Sequence, residues 1–359
     1  MSKNVIEEAK RCLKCKNPSC VQGCPVKTPI RDVISMLLES KLAEAGEILF
    51  ENNPLSLVCS HVCPQENQCE GHCVLGRKGS PVRFSEIERY ISDYYLNIYQ
   101  ERPTGKKGEK VAIIGSGPAG ITIAFILSRR GYAVTIFEGH DKIGGVLRYG
   151  IPEFRLPKTI LDRMTDKLVE AGVKIRPNTN IGTNITVDDL FRDGFRAIFM
   201  GTGVWRPNKL GIKGESLGHV HFAIEYLRNP AVYRLGKSIA VIGAGNVAMD
   251  VARTAIRNGC TEAYIINNMG NEGITARELE VEYAKIDGAK LFNFKAALEI
   301  TDEGIILADT HFEGGTLVAD KETAELFPVD SVIVAIGQGP RAAIVSTTEG
   351  IDVTARGLV

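Results

Sequence analysis

Eight of the nine cysteines in this 359-residue chain lie within its first 73 residues, and only Cys260 lies outside that segment. The eight are Cys12, Cys15, Cys20, Cys24, Cys59, Cys63, Cys69 and Cys73. The sequence starts without an apolar signal segment, and it has no run of the ~20 apolar residues that a membrane helix needs. We therefore expect a cytoplasmic protein with reduced thiols, without membrane insertion. In that compartment a dense cysteine cluster is a metal site more often than a disulfide framework.

The spacing of these cysteines favours iron over zinc. The two groups read Cys12-x2-Cys15-x4-Cys20-x3-Cys24-Pro25 and Cys63-Pro64-x4-Cys69-x3-Cys73. Iron–sulfur clusters are held by several thiolates from short loops, with a distant last ligand. Zinc prefers two matched Cys-x2-Cys pairs, and only Cys12 and Cys15 have that spacing. Eight thiolates would suit two four-iron clusters, whereas zinc and disulfides remain the alternatives.

Length and composition exclude several other classes of protein. A chain of 359 residues suggests two or three domains. Lys plus Arg and Asp plus Glu both count 43, so no basic excess points to a nucleic acid or an anionic membrane. Glycine at 37 residues, with aromatic residues at only 7%, favours glycine-rich α/β loops over a β-sandwich.

The chain divides into a helical segment and a repeated α/β segment. Thr28 and Pro29 are predicted to be the N-cap and first residue of a helix over PIRDVISMLLES, and KLAEAGEILFEN follows at helical spacing. The polar residues 101–109 are predicted to be a linker. Beyond it, VAIIGSGPAGITIA at 111–124 matches IAVIGAGNVAMDVA at 239–252. Each copy reads as strand, glycine loop, helix and second strand, which predicts two doubly wound nucleotide-binding domains.

The order of these segments predicts the fold class and the domain boundaries. GTGVW at Gly201 and AIGQGP at Ala335 resemble two equivalent strand ends before and after the second copy, which suggests that the second domain is inserted in the first. We predict a helical domain over 1–105, a first nucleotide domain over 106–235 and 328–359, and a second over 236–327. The expected fold class is α/β, in which an N-terminal helical domain precedes two Rossmann-like doubly wound domains.

The first glycine loop follows a strand and opens a helix, as binding of a dinucleotide pyrophosphate requires. The second strand of this copy ends at Glu138, 18 residues after the last glycine, where a carboxylate would accept from a ribose hydroxyl. A glycine-rich turn without a ligand is the alternative for the loop alone. The residues predicted to bind here are Gly115, Gly117, Pro118, Ala119, Gly120 and Glu138.

The second glycine loop has alanine in the third position, which is allowed because that residue packs helix on strand. The next strand ends at Asn267-Asn268-Met269, which offers neither an arginine for a 2′-phosphate nor a carboxylate for a free ribose. The residues predicted to bind the second nucleotide are Gly243, Gly245, Asn246, Val247, Ala248 and Asp250.

The N-terminal stretch resembles the iron–sulfur domain of the glutamate synthase small-subunit family, on the segments VCSHVCPQENQCEGHC at 58–73 and IERYISD at 87–93. That family includes the large subunit of NADH-dependent ferredoxin:NADP oxidoreductase and the N-terminal part of dihydropyrimidine dehydrogenase. The resemblance implies two 4Fe-4S clusters, and it leaves Cys59 as a packed neighbouring thiol and Cys260 as an ordinary buried one. The implied ligands are Cys12, Cys15, Cys20 and Cys73 for one cluster, and Cys24, Cys63, Cys69 and Glu88 for the other.

Glu88 has a second interpretation. Ser85-x-x-Glu88 also fits a capping box that would open the helix FSEIERYISDYYLN. Spacing alone favours the cap. The resemblance, together with the ligand that seven thiolates leave missing, favours coordination of iron.

The segment GGVLRYGIPEFRLPK at 144–158 is similar to a segment of the same family that approaches FAD. The resemblance therefore implies FAD at the first loop, and a proline-rich surface loop is the alternative for this segment. The further residues expected at the flavin are Gly144, Gly145, Leu147, Arg148, Arg155, Gly201, Thr202, Gly203 and Gly337.

By the same resemblance the second loop binds NAD(P)H. Relatives carry paired arginines for the 2′-phosphate of NADPH after the second strand, and these arginines are absent here, so NADH is slightly favoured. Arg277 matches a family arginine and is expected to supply charge at this site. A surface helix cation is the alternative interpretation of Arg277.

The resemblance implies an oxidoreductase subunit that exchanges hydride between NAD(P)H and FAD and passes single electrons through two clusters, with no side chain nominated as catalytic. Its expected partners are other redox subunits, such as a glutamate synthase large subunit or a ferredoxin-linked bifurcating complex. Relatives continue past ARGLV, where this chain stops inside an expected strand, so we expect a truncated product or a variant whose flavin site a partner closes. The alternative is a relay or scaffold subunit that has lost flavin or nucleotide binding.

Overall fold

The computed structural model describes residues 2–100 and 108–359, so most of the predicted linker lies outside the described residues. Its contacts divide the chain into two units, one of Met1–Gly144 with Glu153–Thr202 and the other of Gly145–Pro152 with Gly203–Val359. In the part of the chain that is described, no helix is both long and apolar enough to cross a bilayer.

Helices joined by loops make up the described N-terminal segment, and α-helices alternate with strands after it. In chain order they are α1 (Ser2–Lys10), α2 (Ser19–Gln22), α3 (Ile30–Leu38), α4 (Leu42–Asn52), α5 (Ser56–Val62), α6 (Phe84–Ile98), α7 (Pro118–Arg129), α8 (Val146–Tyr149), α9 (Lys158–Glu170), α10 (Val187–Arg192), α11 (Ala223–Arg228), α12 (Asn246–Arg257), α13 (Glu278–Asp287) and α14 (Ala343–Ser346).

The strands begin after the helical segment. In chain order they are β1 (Lys110–Ile114), β2 (Ala133–Phe137), β3 (Lys174–Arg176), β4 (Phe195–Met200), β5 (Arg206–Pro207), β6 (Val220–Phe222), β7 (Ser238–Ile242), β8 (Glu262–Ile266), β9 (Lys290–Phe292), β10 (Lys295–Thr301), β11 (Gly304–Glu313), β12 (Thr316–Pro328), β13 (Ser331–Val334) and β14 (Gln338–Gly339).

The helical domain is built around the apolar faces of α3, α4 and α6. Val33, Ile34, Leu49, Ile87 and Ile91 are at most 1% exposed in its core. Four of the thiols, Cys12, Cys20, Cys69 and Cys73, pack against this core. Because close packing restricts side-chain motion, the core holds these thiols in fixed places.

Helix α3 begins one residue later than predicted. Pro29 is its N-cap, and no side chain caps the helix. Thr28 is buried, and its Oγ1 lies 3.3 Å from Cys24 Sγ. The hydroxyl therefore contacts a candidate cluster thiol instead of the orphan N–H groups of the helix.

An aromatic cluster joins the helical domain to the first nucleotide fold within the same unit. Phe50 of α4 lies 4.4 Å from Tyr99 and 5.1 Å from Phe125 of α7, as measured between ring centroids. The ring pair Tyr99–Phe125 is 6.0 Å apart, and Arg129 Nη2 pairs with a Glu51 carboxylate oxygen at 2.8 Å. Buried aromatic contacts of this kind fix the relative position of the two parts.

The first sheet has the order β3-β2-β1-β4, and all its strands are parallel. Four of the five residues in each of β1 and β2 are buried, as in the near-continuous apolar strands of a doubly wound sheet. The loop between β1 and α7 lies at the carboxyl end of the sheet, where ligands of such folds bind.

The second unit contains a parallel sheet of order β6-β13-β7-β8-β9. Three further strands, β10, β11 and β12, form a separate antiparallel sheet, and β5 pairs antiparallel with β14. The fold class is therefore α/β with two parallel nucleotide-binding sheets, as predicted.

The second parallel sheet extends beyond both predicted boundaries of its domain. The second sheet starts with Val220 and ends with Val334, whereas the sequence placed the limits of this domain at 236 and 327. The strand β6 has only three residues, and β13 joins the sheet between β6 and β7 through non-local pairing, which local pattern does not reveal. The return of the chain to the first domain after β13 stays a prediction.

The segment at the end of the sequence also differs from expectation. Residues 351–359 contain neither helix nor strand, although a strand was predicted there. Thr354 and Leu358 are linked by a backbone hydrogen bond of 2.8 Å, so these residues form a turn.

Candidate cluster and nucleotide sites

The first predicted group of thiols lines one pocket of the helical domain. Cys12 follows α1, Cys20 lies on α2, and Cys73 precedes a short 3-10 turn. The cysteines that line the pocket are Cys12, Cys15, Cys20, Cys69 and Cys73. The remaining walls are mostly apolar and include Ile30, Ile34, Val82 and Phe84. The structure thus brings together all four predicted ligands of the first cluster.

The donors in this pocket fit a cluster of several metal atoms. Burial is the main reason that the pKa of the Cys20 thiol is raised, and the neighbouring Cys73 and Cys12 raise it further. A thiolate in such a place needs a positive partner, which bound metal supplies. Within residues 2–100 and 108–359, no three His, Cys, Asp or Glu side chains are grouped as a single metal ion requires. Several thiols around one cavity are the donor set that a polynuclear cluster requires.

The second predicted group also meets in the helical domain. The charge environment of Cys63, at the end of α5, includes Glu88, Cys69 and Cys24. Burial raises the pKa of Cys69 to about 12, and the carboxylates of Glu70 and Glu88 contribute. The thiols of Cys24, Cys63 and Cys69 and the Glu88 carboxylate are therefore close enough to shift pKa values within the group.

Glu88 is a buried carboxylate with no conventional partner. Its exposed fraction is 6%, and burial raises its pKa well above the ordinary value, with the nearby Cys59, Cys24 and Glu70 adding to the effect. Among the described residues, its carboxylate has neither a hydrogen-bond donor nor a cation as partner. Buried charges in proteins are paired or coordinate metals. Glu88 therefore fits the role of an oxygen ligand to iron.

The alternative interpretation of Glu88 as half of a capping box is wrong. The N-cap of α6 is Arg83, whose own side chain makes no capping hydrogen bond. The N–H and the hydroxyl of Ser85 both donate to Glu70 Oε1, at 2.9 and 2.7 Å. The side chain that orders the start of α6 is thus Glu70, which the sequence did not identify.

Cys59 forms a hydrogen bond with a predicted ligand of the second cluster, whereas the family resemblance implied only that it packs nearby. Asn53 Nδ2 donates to Cys59 Sγ at 3.2 Å, and a hydrogen bond with Cys63 is the largest cause that raises the pKa of Cys59. The same bond lowers the pKa of Cys63. Cys260 is buried, and its Sγ lies 3.5 Å from the Gly236 carbonyl oxygen, as expected of an ordinary buried thiol.

The first glycine loop has the backbone that its sequence predicts. Gly115 has φ +92°, and a Cβ at this position would lie 2.5 Å from the Gly201 carbonyl oxygen. Gly117 is the N-cap of α7, and Pro118 is its first residue. A Cβ at Gly120 would collide with the carbonyl oxygen of Gly115. The loop therefore presents the N-terminus of α7, which can bind a phosphate.

Glu138 follows β2, as predicted, and is 5% exposed. Its Oε2 accepts from the N–H of Ser116 at 3.0 Å and from the Ser116 hydroxyl. Its Oε1 accepts from the N–H of His140 and lies 2.8 Å from His140 Nδ1. Burial alone raises the pKa of Glu138, but these hydrogen bonds outweigh it and leave the pKa lowered. Ser116 and His140 were not identified from the sequence, and the fixed spacing of Ser116 within the loop is the signal that could have shown the first of them.

The remaining predicted flavin residues are divided between the two units. Gly144, Arg155, Gly201 and Thr202 belong to the first unit. Gly145, Leu147, Arg148, Gly203 and Gly337 belong to the second. Gly144 is tied to the first loop, since its N–H donates to the Ser116 carbonyl at 3.0 Å. The assignment of this set to the flavin stays a prediction.

The second glycine loop repeats the geometry of the first. Gly243 has φ +125°, and a Cβ there would lie 2.5 Å from the Ala335 carbonyl oxygen. Gly245 is the N-cap of α12, which begins with Asn246 and Val247. Ala248 is fully buried, as expected of the residue that packs helix on strand. The similarity of GTGVW to AIGQGP is thus explained. Gly201 follows β4 and Ala335 follows β13, and the carbonyl oxygen of each lies beside the glycine loop of its own sheet.

Asp250 and Arg277 are buried near this loop. Asp250 is 3% exposed and Arg277 is 8% exposed. Arg277 is the N-cap of α13, and its backbone N–H donates to Asn246 Oδ1 at 3.0 Å. The interpretation of Arg277 as a surface cation is therefore wrong, and its backbone links the starts of α12 and α13.

Comparison with known proteins identifies the family. Residues 1–99 match the family model described as dihydropyrimidine dehydrogenase domain II, 4Fe-4S cluster, and residues 109–359 match pyridine nucleotide-disulphide oxidoreductase. The chain is 32% identical over 364 residues to the glutamate synthase [NADPH] small chain of Escherichia coli (strain K12), covering 93% of this chain and 76% of that protein. The chain belongs to the glutamate synthase small-chain family. This confirms the resemblance seen in the sequence.

Two further comparisons extend this finding. The NADP(+)-dependent formate dehydrogenase subunit beta of Moorella thermoacetica is 32% identical over 383 residues, with 95% of this chain and 53% of that protein covered. The structure of Mycobacterium tuberculosis FprA in complex with NADPH aligns with a TM-score of 0.55 at 19% identity, over 65% of this chain and 71% of that chain, which shows a shared fold. The predicted oxidoreductase activity and the iron–sulfur, FAD and NAD(P)H cofactor classes are confirmed. Relatives named as a small chain and a subunit also support other redox subunits as partners.

Proposed function

We propose that this chain is the subunit that connects NAD(P)H to a chain of two 4Fe-4S clusters through FAD, and that it exchanges single electrons with a partner subunit. When bound, the flavin accepts or donates hydride and the clusters carry one electron at a time. The ligands proposed for the clusters are Cys12, Cys15, Cys20 and Cys73, and Cys24, Cys63, Cys69 and Glu88.

The observation that carries this proposal is the attachment of the thiol domain to the first nucleotide fold. Both sets of thiols lie in the domain whose α4 packs on α7 through Phe50 and Phe125. The same α7 begins at the glycine loop proposed to bind FAD. One compact unit therefore carries the candidate cluster sites and the candidate flavin loop.

The roles of the protein side chains follow from this arrangement. The thiols and Glu88 would hold metal, and the apolar wall of the first pocket would exclude water from it. The N-terminus of α7 would bind the pyrophosphate, while the carboxylate of Glu138 would receive a ribose hydroxyl in place of a present donor such as His140. No acid–base side chain is required, since the bound groups perform the redox step.

The partner proposed for this subunit is a second redox protein of the cytoplasm, of the glutamate synthase or ferredoxin-linked kind. A relative named as a glutamate synthase small chain and another named as a formate dehydrogenase subunit support an assembly of this type. The balanced charge of 43 basic and 43 acidic residues gives no support to a nucleic acid as partner.

The test is anaerobic purification of the full chain with and without its co-purifying partners, followed by iron assay, flavin assay and titration with NADH and NADPH. We expect about eight iron atoms per chain, as two cubes require, and loss of the flavin absorption on addition of reduced nucleotide. Iron without flavin in every preparation would support the relay alternative. A colourless protein with zinc in place of iron would refute both.

A further inference from the structure

The turn after β8 occupies the place that decides which pyridine nucleotide a dinucleotide fold accepts. The backbone N–H of Glu138 donates to the Arg176 carbonyl at 3.0 Å, and that of Asn267 donates to the Phe292 carbonyl at 2.9 Å. Asn267 thus holds in the second copy the position that Glu138 holds in the first. In folds of this kind an acid near this position binds the ribose 2′-hydroxyl of NAD, and an arginine binds the 2′-phosphate of NADP.

The side chain of Asn267 is committed to the turn itself. Its Nδ2 donates to the Gly270 carbonyl at 2.9 Å and to Asn293 Oδ1 at 3.0 Å, while its Oδ1 accepts from the N–H of Met269 at 3.3 Å. An amide has two N–H donors, and both are used here. Asn267 therefore shapes the turn and has no donor left for a phosphate.

The charge of the turn is negative. Residues 267–276 contain no lysine or arginine, and their one charged side chain is Glu272. Glu272 is exposed, and its Oε1 accepts from the N–H of Gly270 at 3.2 Å, which holds the carboxylate at the turn.

The two neighbouring cations are a paired lysine and a buried arginine. Lys295, whose backbone N–H donates to the Asn267 carbonyl, has its Nζ 2.9 Å from a carboxylate oxygen of Asp309. Arg277 is only 8% exposed. Within residues 267–276, a 2′-phosphate at this turn would meet the Glu272 carboxylate and neither a lysine nor an arginine.

We propose that the turn of residues 267–273 makes this chain select NADH over NADPH, with Glu272 as the specificity-determining residue. This inference rests on the proposed function, in which the second glycine loop binds a pyridine nucleotide. One unit charge facing a phosphate at the protein surface is expected to weaken NADPH about tenfold relative to NADH.

Calorimetric titration of the anaerobically purified full chain, reduced beforehand with dithionite so that it cannot accept hydride, with NADH and with NADPH tests the inference without relying on turnover. Wild type is expected to bind NADH about tenfold more tightly. The preference should shrink as salt is raised, because salt screens exposed charges. Equal binding, or tighter binding of NADPH, would overturn the inference and leave the proposed function intact. Failure to bind either nucleotide would overturn both.

Two variants of Glu272 separate the effect of its negative charge from the effect of its hydrogen bond to the Gly270 N–H. Glu272→Gln keeps an acceptor for the Gly270 N–H, so we expect tighter NADPH binding with NADH binding almost unchanged. Glu272→Arg should bring NADPH to the level of NADH or beyond it. Glu303→Gln, the same change at an exposed turn between β10 and β11, is the matched control and should leave both affinities as in wild type. A preference that survives Glu272→Arg would refute the role of Glu272.

Discussion

At the scale of single residues, Glu88 is a buried acid among thiols, and its role can be separated from that of its neighbours on α6. Replacement Glu88→Ala is expected to lower the iron content from about eight to about four atoms per chain, because one cube loses a ligand. Electron paramagnetic resonance of the reduced protein should then lack one of two cluster signals. The measurement is iron assay together with the spectrum.

The control for this variant is Glu86→Ala. Glu86 lies on the same helix, and its partner is the exposed Arg83 at 2.9 Å. It should retain full iron and both signals. Full iron and an unaltered spectrum in Glu88→Ala would show that Glu88 is not a ligand.

The hydrogen bonds of Glu138 predict a dependence of stability on pH. Its pKa is lowered in the folded protein, so its contribution is fully present above the ordinary carboxyl value of about 4.3 and is lost as pH falls through the lower folded value. Glu138→Gln is therefore expected to lower the free energy of unfolding at pH 7 by about 1.5–3 kcal/mol, the usual contribution of a hydrogen bond to a charged group. Denaturant titrations of both proteins between pH 3 and pH 7 measure the difference.

The difference between wild type and Glu138→Gln should shrink on the acid side of this range. Glu170→Gln is the control, because Glu170 forms an exposed pair with Lys167 at 2.9 Å and such pairs contribute little. A difference that stays constant down to pH 3 would contradict the assignment of the effect to the ionised carboxylate.

At the scale of the elements, two glycines of the first loop can be used to separate the effect of backbone strain on stability from the effect of an added side chain on flavin binding. Gly115→Ala places a side chain at φ +92° against the Gly201 carbonyl, so we expect destabilisation by about 1–3 kcal/mol as well as loss of flavin. Gly117 has φ −67°, and no atom lies within 4 Å of a Cβ built there. Gly117→Ala should therefore keep the stability of the flavin-free protein and weaken only flavin binding. Thermal unfolding and flavin titration of both variants make the comparison, and equal stability of the two would contradict it.

At the scale of the whole molecule, the cluster of Phe50, Tyr99 and Phe125 couples the helical domain to the first nucleotide fold. Phe50 is 4% exposed, and Phe50→Ala is expected to lower the free energy of unfolding by about 3–5 kcal/mol. The helical domain should then melt separately from the sheet, with two transitions in place of one. Differential scanning calorimetry measures this. Tyr94→Ala removes an aromatic ring that is 40% exposed on α6, and it should leave a single transition.

The sequence predicted the large divisions of this fold and the ends of its first strands. The repeat of the two glycine loops placed both parallel sheets, and the position of Glu138 after β2 was predicted because loop, helix and strand lengths in such units vary little. The assignment of Cys12, Cys15, Cys20 and Cys73 to one cluster came only through the family resemblance and stays a prediction, because the pocket that they line also includes Cys69. Spacing alone leaves the pairing of eight cysteines open, since it does not say which loops meet in space.

The parts that were not predicted depend on contacts between distant residues. The three-residue strand β6 and the insertion of β13 beside it are fixed by pairing across more than a hundred residues. The bond from Ser85 to Glu70 and the two bonds from Ser116 to Glu138 likewise join residues that lie apart in the sequence. A capping motif at Ser85 and Glu88 satisfied the local pattern, but burial of Glu88 beside the thiols overrode it.

The carbonyl groups of Gly201 and Ala335 each close one wall of a glycine turn, with no space for a methyl group between them. The backbone of each glycine turn is therefore held in place by this carbonyl group before any dinucleotide binds. A phosphate that enters would find its N–H donors already oriented, and little chain entropy would be surrendered in ordering them. Affinity at either turn should in consequence respond more to what the incoming molecule carries at its ribose than to any rearrangement of the loop.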